Sequence, residues 1–294
     1  MLAQEIKLAK VITTVADMQE WAYFRRAEHR TIGFVPTMGY LHDGHLSLVR
    51  IARERADDVV VSIFVNPTQF GAGEDLTAYP RDFERDKRMC ESQGADVIFF
   101  PDVEEIYPPG YQTQITVPQV AGPLCGVSRP VHFGGVATVC CKLFNSVRPN
   151  FAVFGEKDYQ QILVVERMVR DLHMDVEIVP GPTLRDPDGL AMSSRNVYMT
   201  PEERHQAPII QQTLQRAKIL VDSGERSRDG ILAAVREMIS TAPAGRIDYI
   251  ELRRLPNLEE AEESPAGRHL LAVAVYFGKS RLIDNQILEF VKPN

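Results

Sequence analysis

Two rhythms alternate through the first two thirds of the chain. Short apolar runs rich in β-branched residues occupy 31–35, 58–65 (DVVVSIFV), 96–100, 151–154 and 176–179. Between them lie segments whose apolar residues recur every three or four positions, at 15–29, 46–56, 83–93, 134–147 and 158–172. The runs lack the polar alternation of a half-exposed strand, so they predict strands buried on both faces, and the segments between them predict amphipathic helices. Repeated βα alternation of this kind predicts an α/β fold, a doubly wound, Rossmann-like parallel sheet, whose ligands gather at the carboxyl ends of the strands.

The rhythm changes after about Arg185. Thr200–Pro201–Glu202–Glu203 has a hydroxyl at the cap, proline at the first helical position and glutamate at the third, which marks a helix start. Helices are predicted over 201–223 and 229–241, followed by extended runs 247–253 and 269–277. The chain is thus expected to divide into a larger Rossmann-like domain, 1–186, and a smaller α+β domain, 187–294, covering the site. The acidic stretch EEAEES, 259–264, reads as a solvated turn or helix end.

Charge narrows the partners. The net charge of −7 is spread over interspersed acids and bases with no basic stripe, which points away from nucleic acid and toward small molecules. The four cysteines, Cys90, Cys125, Cys140 and Cys141, include an adjacent apolar pair that fits buried reduced thiols, and hence a cytoplasmic protein, better than a disulfide framework. The opening MLAQEIKLAKVITTV has no signal-peptide pattern, and no apolar run approaches the roughly 20 residues of a membrane span, so neither export nor a membrane is expected.

Candidate chemistry sits at the predicted strand ends. TIGFVPTMGYLHDGH, 31–45, leads a strand through a glycine-containing turn into a helix, where free backbone N–H groups attract anions. His42 and His45, three residues apart, can turn both rings to one side, with Gly44 leaving room between them. Beside a polyanion the protonated ring is favoured above the ordinary value of about 6.5, adding positive charge. Such histidines are often only solvated or helix-capping, but the strand–turn–helix setting points to a phosphate site. A zinc site would prefer i, i+4 spacing and a third ligand. Asn66 and Gln69, in NPTQF, offer amides suited to a hydroxyl- or carboxylate-bearing substrate, although an Asn-Pro turn needs no ligand. Lys157, in GEKD, offers a mobile ammonium beside a helix start, while Asp158 and Gln161 have the spacing of a simple capping box. Ser193, Ser194 and Arg195 add hydroxyls and a forked cation. One helix terminus contributes only about 0.3–1 kcal/mol toward an anion, whereas enzymes lower barriers by roughly 8–23 kcal/mol, so His42, His45, Lys157 and Arg195 gathered on one polyanion are needed for catalysis.

The ordered set PTMGYLHDGH from Pro36, SIFVNPTQF from Ser62, AYPRDFERD from Ala78, HFGGVATV from His132, FGEKDYQQ from Phe154 and DGLAMSSRN from Asp188 resembles the pantoate–β-alanine ligases. That family belongs to the His-x-Gly-His nucleotidyltransferases, and the resemblance runs along nearly the whole chain. It implies two steps in one site. ATP adenylates the carboxylate of (R)-pantoate, releasing pyrophosphate, and β-alanine then displaces AMP to form pantothenate. Magnesium accompanies the ATP, and the family is usually a homodimer. By resemblance, ATP is bound by Met38, Gly39, Tyr40, Leu41, His42, Asp43, Gly44 and His45, with His45 in the acid role, and by Gly155, Glu156, Lys157, Asp158, Leu184, Met192, Ser193, Ser194 and Arg195. Catalysis falls to His45, His42 and Lys157. Gln69 contacts pantoate and the place where β-alanine enters, Gln161 holds pantoate, and Asn66 joins them in binding the substrates. Tyr40 replaces a residue that is often smaller, and Leu184 one that is commonly valine. Asp82 and Asp86 are candidate magnesium partners, although a charged helix face explains them equally well. The His-x-Gly-His site alone also suits an adenylyltransferase that leaves AMP on its product. A regulator without turnover is disfavoured by retention of His42, His45, Lys157 and Arg195.

Overall fold

A computed structural model describes residues 8–74 and 76–291, and residues 1–7, where the first part of the N-terminal reading falls, lie outside it. By contact pattern the chain forms two compact units, one of residues 1–156 and 160–182 and the other of residues 157–159 and 183–294.

The first unit runs β1 (Lys10–Ile12), α1 (Val15–Ala27), β2 (Ile32–Thr37), α2 (Asp43–Arg55), β3 (Asp58–Ile63), α3 (Phe83–Ser92) and β4 (Val97–Phe99). It continues with the short helices α4 (Val103–Ile106), α5 (Pro118–Ala121) and α6 (Cys125–Ser128), then α7 (His132–Val147), β5 (Phe151–Gly155), α8 (Tyr159–Asp171) and β6 (Glu177–Gly181). The strands form one six-stranded sheet in the order β1-β4-β3-β2-β5-β6, parallel at every pairing. The order reverses between β2 and β5, the switch point at which doubly wound sheets bind ligands. β2 and β3 are almost wholly buried, as their unbroken apolar runs predict. Successive side chains point to opposite faces. Thus Val35, Val59, Val61 and Val153 join a core with Leu48, Val49 and Ala52 of α2, while Phe34 meets Phe144 of α7 edge to face.

The second unit contains α9 (Pro201–Gln206), α10 (Ile209–Asp222), α11 (Arg228–Ile239), β7 (Gly245–Arg254), β8 (Glu259–Glu260), β9 (Gly267–Phe277) and β10 (Ser280–Phe290). Its antiparallel sheet has the order β10-β9-β7-β8. Leu214 and Ala217 of α10 and Ile231 and Val235 of α11 pack with Leu252, Leu271, Val273, Val275 and Phe290 of the strands. The helix expected over 201–223 is two helices. Pro208 has no N–H to continue the ladder of α9 and instead opens α10, and Thr200 and Glu203 close a capping box at the start of α9. The acidic stretch is neither turn nor helix end at its start, since Glu259 and Glu260 pair with Arg254 and Arg253 as a short strand. Among the described residues, no helix is long and apolar enough to cross a membrane. Cys90, Cys125, Cys140 and Cys141 are reduced thiols, and burial pushes Cys90 and Cys140 up to about 12.

Candidate active site

The turn after β2 is held from below by a buried carboxylate. Gly39 (φ +83°) and Tyr40 (φ +50°) are consecutive left-handed residues, and a Cβ on Gly39 would lie 3.0 Å from Ile63 Cγ2 and 3.1 Å from Asp86 Oδ2. Glycine is required by both the angle and the space. Asp86, only 1% exposed, accepts from the backbone N–H of Tyr40 (2.6 Å) and of Leu41 (2.8 Å), with Arg85 at 3.3 Å. Burial lifts this carboxyl above its ordinary value, opposed by the Leu41 and Tyr40 amides and by Arg85. The Arg85 guanidinium also lies 5.2 Å from the Tyr40 ring centre, which gives the larger side chain at this position a partner. Asp86 is therefore a clamp on the turn, and Asp82 caps α3 through Arg85 N–H. Asp86 is thus committed to the turn, whereas Asp82 is exposed with only Oδ1 engaged. Among the described residues no group of three or more His, Cys, Asp or Glu is arranged to hold a metal ion.

The two histidines cap the helix they introduce. His42 Nδ1 accepts from Gly44 N–H at 3.2 Å, His45 Nδ1 accepts from His42 N–H at 3.3 Å, and the ring centroids are 4.0 Å apart. A ring nitrogen that accepts a backbone N–H carries no proton, so in this cap each imidazole has its proton on Nε2. The cap offers Nε2–H donors beside the first-turn amides of α2, a helix long enough to carry a dipole.

After β3, a 3-10 turn at Pro67–Gln69 brings the amide pair together. Asn66, 1% exposed, is spent within the fold. Its Oδ1 accepts from Thr68 N–H, Thr68 Oγ1 and Tyr107 OH, and its Nδ2 donates to Gly135 O and Gln69 Oε1. Gln69 Nε2 lies 2.9 Å from Met38 Sδ and so joins this turn to the one carrying the histidines. The Gln69 carbonyl accepts from Arg129 at 3.4 Å and is 3.0 Å from His132 Nδ1, and Arg129 is anchored on Glu74, whose carboxyl it holds below the ordinary range. α7 presses on the same turn. A Cβ on Gly135 would lie 2.5 Å from the Thr68 carbonyl carbon and 2.6 Å from Gln69 Cα. Arg129, His132 and Gly135 were missed as site-building residues, although the paired glycines of HFGG in a helix start were a visible signal of close approach.

At β5 the chain leaves the sheet through Gly155 and Glu156. The neighbouring glutamines of α8 divide their duties. Gln160 is buried and bonds Val120 O, Pro123 O and Cys125 N–H, whereas Gln161 is half-buried and its amide bonds no described residue. The capping-box partnership of Asp158 with Gln161 is accordingly not formed.

In the second unit, Lys157 is mostly buried, its Nζ is 3.6 Å from Asp158 Oδ2, and its carbonyl accepts from Asn285 Nδ2 at 3.0 Å. The preceding residue of β10, Asp284, takes Arg185 in a two-pronged ion pair at 2.5 and 3.0 Å. Met192 N–H donates to Leu184 O, and Arg185 bridges Ala191, which closes the DGLAMSSRN segment into a narrow loop. Ser193 Oγ accepts from Arg195 N–H at the head of a 3-10 turn containing Ser194, and Ser280 Oγ donates to Arg195 O. Arg204 ties Asp186 and Asp188 to α9, holding Asp188 below the ordinary carboxylate range.

Comparison with known proteins follows the same lines. The family model described as pantoate-beta-alanine ligase matches residues 10–287. Pantothenate synthetase of Thermotoga neapolitana is 53% identical over 279 residues, covering 95% of this chain and 99% of that protein. That of Syntrophus aciditrophicus (strain SB) is 51% identical over 278 residues, covering 95% and 97%. Among solved structures, pantothenate synthetase from Thermus thermophilus superposes with a TM-score of 0.86 at 46% identity, covering 94% of this chain and 98% of that one. Pantoate-beta-alanine ligase from Francisella tularensis, complexed with beta-gamma ATP and beta-alanine, gives 0.76 at 34% identity, covering 95% and 97%. A match of this extent, in both sequence and fold, shows that the chain belongs to the pantoate–β-alanine ligase family.

Proposed function

We infer that this chain condenses (R)-pantoate with β-alanine at the expense of ATP, through a pantoyl-adenylate, releasing pyrophosphate and AMP. The observation that carries the reading beyond family membership is the 2.9 Å contact between Gln69 Nε2 and Met38 Sδ. It sets an amide suited to a carboxylate or hydroxyl directly beside the phosphate-binding turn, where a carboxylate can reach an α-phosphate.

A pantoate carboxylate oxygen attacks the α-phosphorus, and the bond from that phosphorus to the bridging oxygen of pyrophosphate breaks. The carboxylate is ionised at neutral pH, so alignment and charge compensation suffice. His42 and His45 donate from Nε2 to phosphate oxygens, and Met38, Gly39, Tyr40, Leu41, Asp43 and Gly44 shape the turn. Lys157 follows the charge that develops on the reacting phosphate, and Gly155, Glu156, Asp158, Leu184, Met192, Ser193, Ser194 and Arg195 serve the nucleotide. Gln69 and Gln161 hold pantoate, and Asn66 acts by fixing Gln69. In the second step the neutral amine of β-alanine attacks the acyl carbon, the bond to AMP breaks, and the amine gives up a proton. By family resemblance magnesium would accompany the ATP, where it would offset phosphate charge. A cytoplasmic homodimer completes the proposal, supported by the reduced, mostly buried thiols and by the habit of the family.

Purified protein with ATP, magnesium, pantoate and β-alanine is expected to make AMP and pantothenate, with pyrophosphate appearing even when β-alanine is omitted. Pyrophosphate without AMP in the complete mixture would instead identify an adenylyltransferase. Lys157→Ala is expected to slow adenylate formation about a hundredfold or more while folding normally, and near-wild-type turnover would reduce the lysine to surface charge.

A further inference from the structure

The amide at the centre of the Pro67–Gln69 turn has only one possible orientation. Thr68 N–H can only donate, so the Asn66 atom facing it is oxygen, and Gly135 C=O can only accept, so the atom facing it is nitrogen. Nδ2 therefore also faces Gln69, which must answer with Oε1, at 3.1 Å. Gln69 is left with its Nε2 hydrogens directed away from Asn66, one toward the weak acceptor Met38 Sδ. Tyr107 braces the arrangement: its hydroxyl donates to Asn66 Oδ1 at 2.8 Å and lies 3.1 Å from Thr68 Oγ1.

We propose that Tyr107 is a positioning residue which, bracing an Asn66 amide whose orientation the Thr68 and Gly135 backbone groups set, holds Gln69 as a hydrogen-bond donor toward an acceptor oxygen of the acid substrate. Assigning that substrate as pantoate rests on the function proposed above. The ring is held independently of its hydroxyl. It packs against Phe64 and Tyr111, with centroids 6.3 and 5.0 Å away, and Lys142 Nζ lies 5.5 Å from its centre. Burial pushes the phenol up to about 12, so it keeps its proton, and its role as donor, throughout the neutral range. A Gln69 amide released from Asn66 could rotate and present Oε1, an acceptor facing an anionic or oxygen-rich substrate.

Tyr107→Phe removes the hydroxyl and keeps the ring, and Thr68→Val removes a second donor to the same Asn66 oxygen. Each is expected to raise the KM for pantoate about five- to tenfold, the effect of one buried hydrogen bond. The KM for ATP should stay within about twofold and the thermal midpoint within a few degrees. Gln69→Glu, which can offer only oxygen at neutral pH, is expected to raise the pantoate KM further still. A pantoate KM that stays at the wild-type value in the folded Tyr107→Phe and Thr68→Val proteins would overturn the proposal while leaving the ligase reading intact. The same holds if ATP and pantoate KM rise in proportion to lost thermal stability, which marks a merely structural role. Failure of the wild-type protein to consume pantoate would remove the ligase reading itself.

Discussion

Asp86 shows how a single side chain can decide whether a phosphate turn exists. Two consecutive left-handed residues do not hold themselves, and the second, Tyr40, carries a Cβ whose conformational cost something else must offset. Here the offset is a buried carboxylate whose two oxygens take the N–H groups of Tyr40 and Leu41. Asp86→Asn keeps the shape but turns one of those oxygens into a donor, leaving a backbone N–H buried against another N–H. The expected result is a loss of about 1–3 kcal/mol of stability and a KM for ATP raised on the order of tenfold, checked by thermal melts and steady-state kinetics. An unchanged ATP KM would mean that the turn is held by other means. The motif around this turn was legible in the sequence, but the work of its individual residues was not. His42 and His45 were readable as phosphate donors, because their spacing is local. That each commits Nδ1 to the cap, leaving Nε2 as the ring's donor, depends on backbone geometry that no spacing encodes. Asp86 looked like a metal partner or part of a charged helix face because its partners lie more than 40 positions away.

The packing of α7 on the turn after β3 is a contact of backbone on backbone. Gly135 lets the helix approach until a Cβ would sit 2.5 Å from the Thr68 carbonyl carbon and 2.6 Å from Gln69 Cα, and neither of those atoms can swing aside. Gly135→Ala must push the helix away from the turn or break the bond between Gly135 O and Asn66 Nδ2. It is expected to cost about 1–3 kcal/mol as overpacking, and to raise the pantoate KM well beyond the ATP KM, since Gln69 moves with the turn. A normal pantoate KM with lowered stability would confine the glycine to packing. Elements with one clean period were readable, as β2, β3 and α2 show. Those that break the period were not. β10 escaped notice because Asp284 and Asn285 interrupt its apolar alternation, and they do so because they anchor Arg185 and the Lys157 carbonyl. Pro208 was visible in the sequence, but the apolar spacing on either side of it masked the break between α9 and α10.

Through the whole molecule, titratable groups set how stability answers to pH, and they act in opposite directions. Burial raises Asp86 and Glu166, so their unfavourable charge is relieved as pH falls. Asp57, Glu74, Asp188, Glu225 and Glu259 are lowered by hydrogen bonds to the backbone or to arginine, so the stability they contribute above the ordinary carboxylate range is lost as pH falls through their folded values. His269 acts earlier. It is 1% exposed in β9, edge-on to Phe290, and burial holds it below the ordinary imidazole value; the Gly267 carbonyl opposes this and Arg254 adds to it. The unfolded chain takes up a proton near about 6.5, whereas the folded site resists it until the pH is lower. Stability is therefore intact above pH ~6.5 and declines below it, before the carboxylates begin to titrate. Between pH 7.5 and 5, the thermal midpoint of the wild-type protein should fall by about 2 °C more than that of His269→Gln, whose side chain gains no proton. Parallel melting curves for the two proteins across that range would show that the buried imidazole does not govern the first acid step.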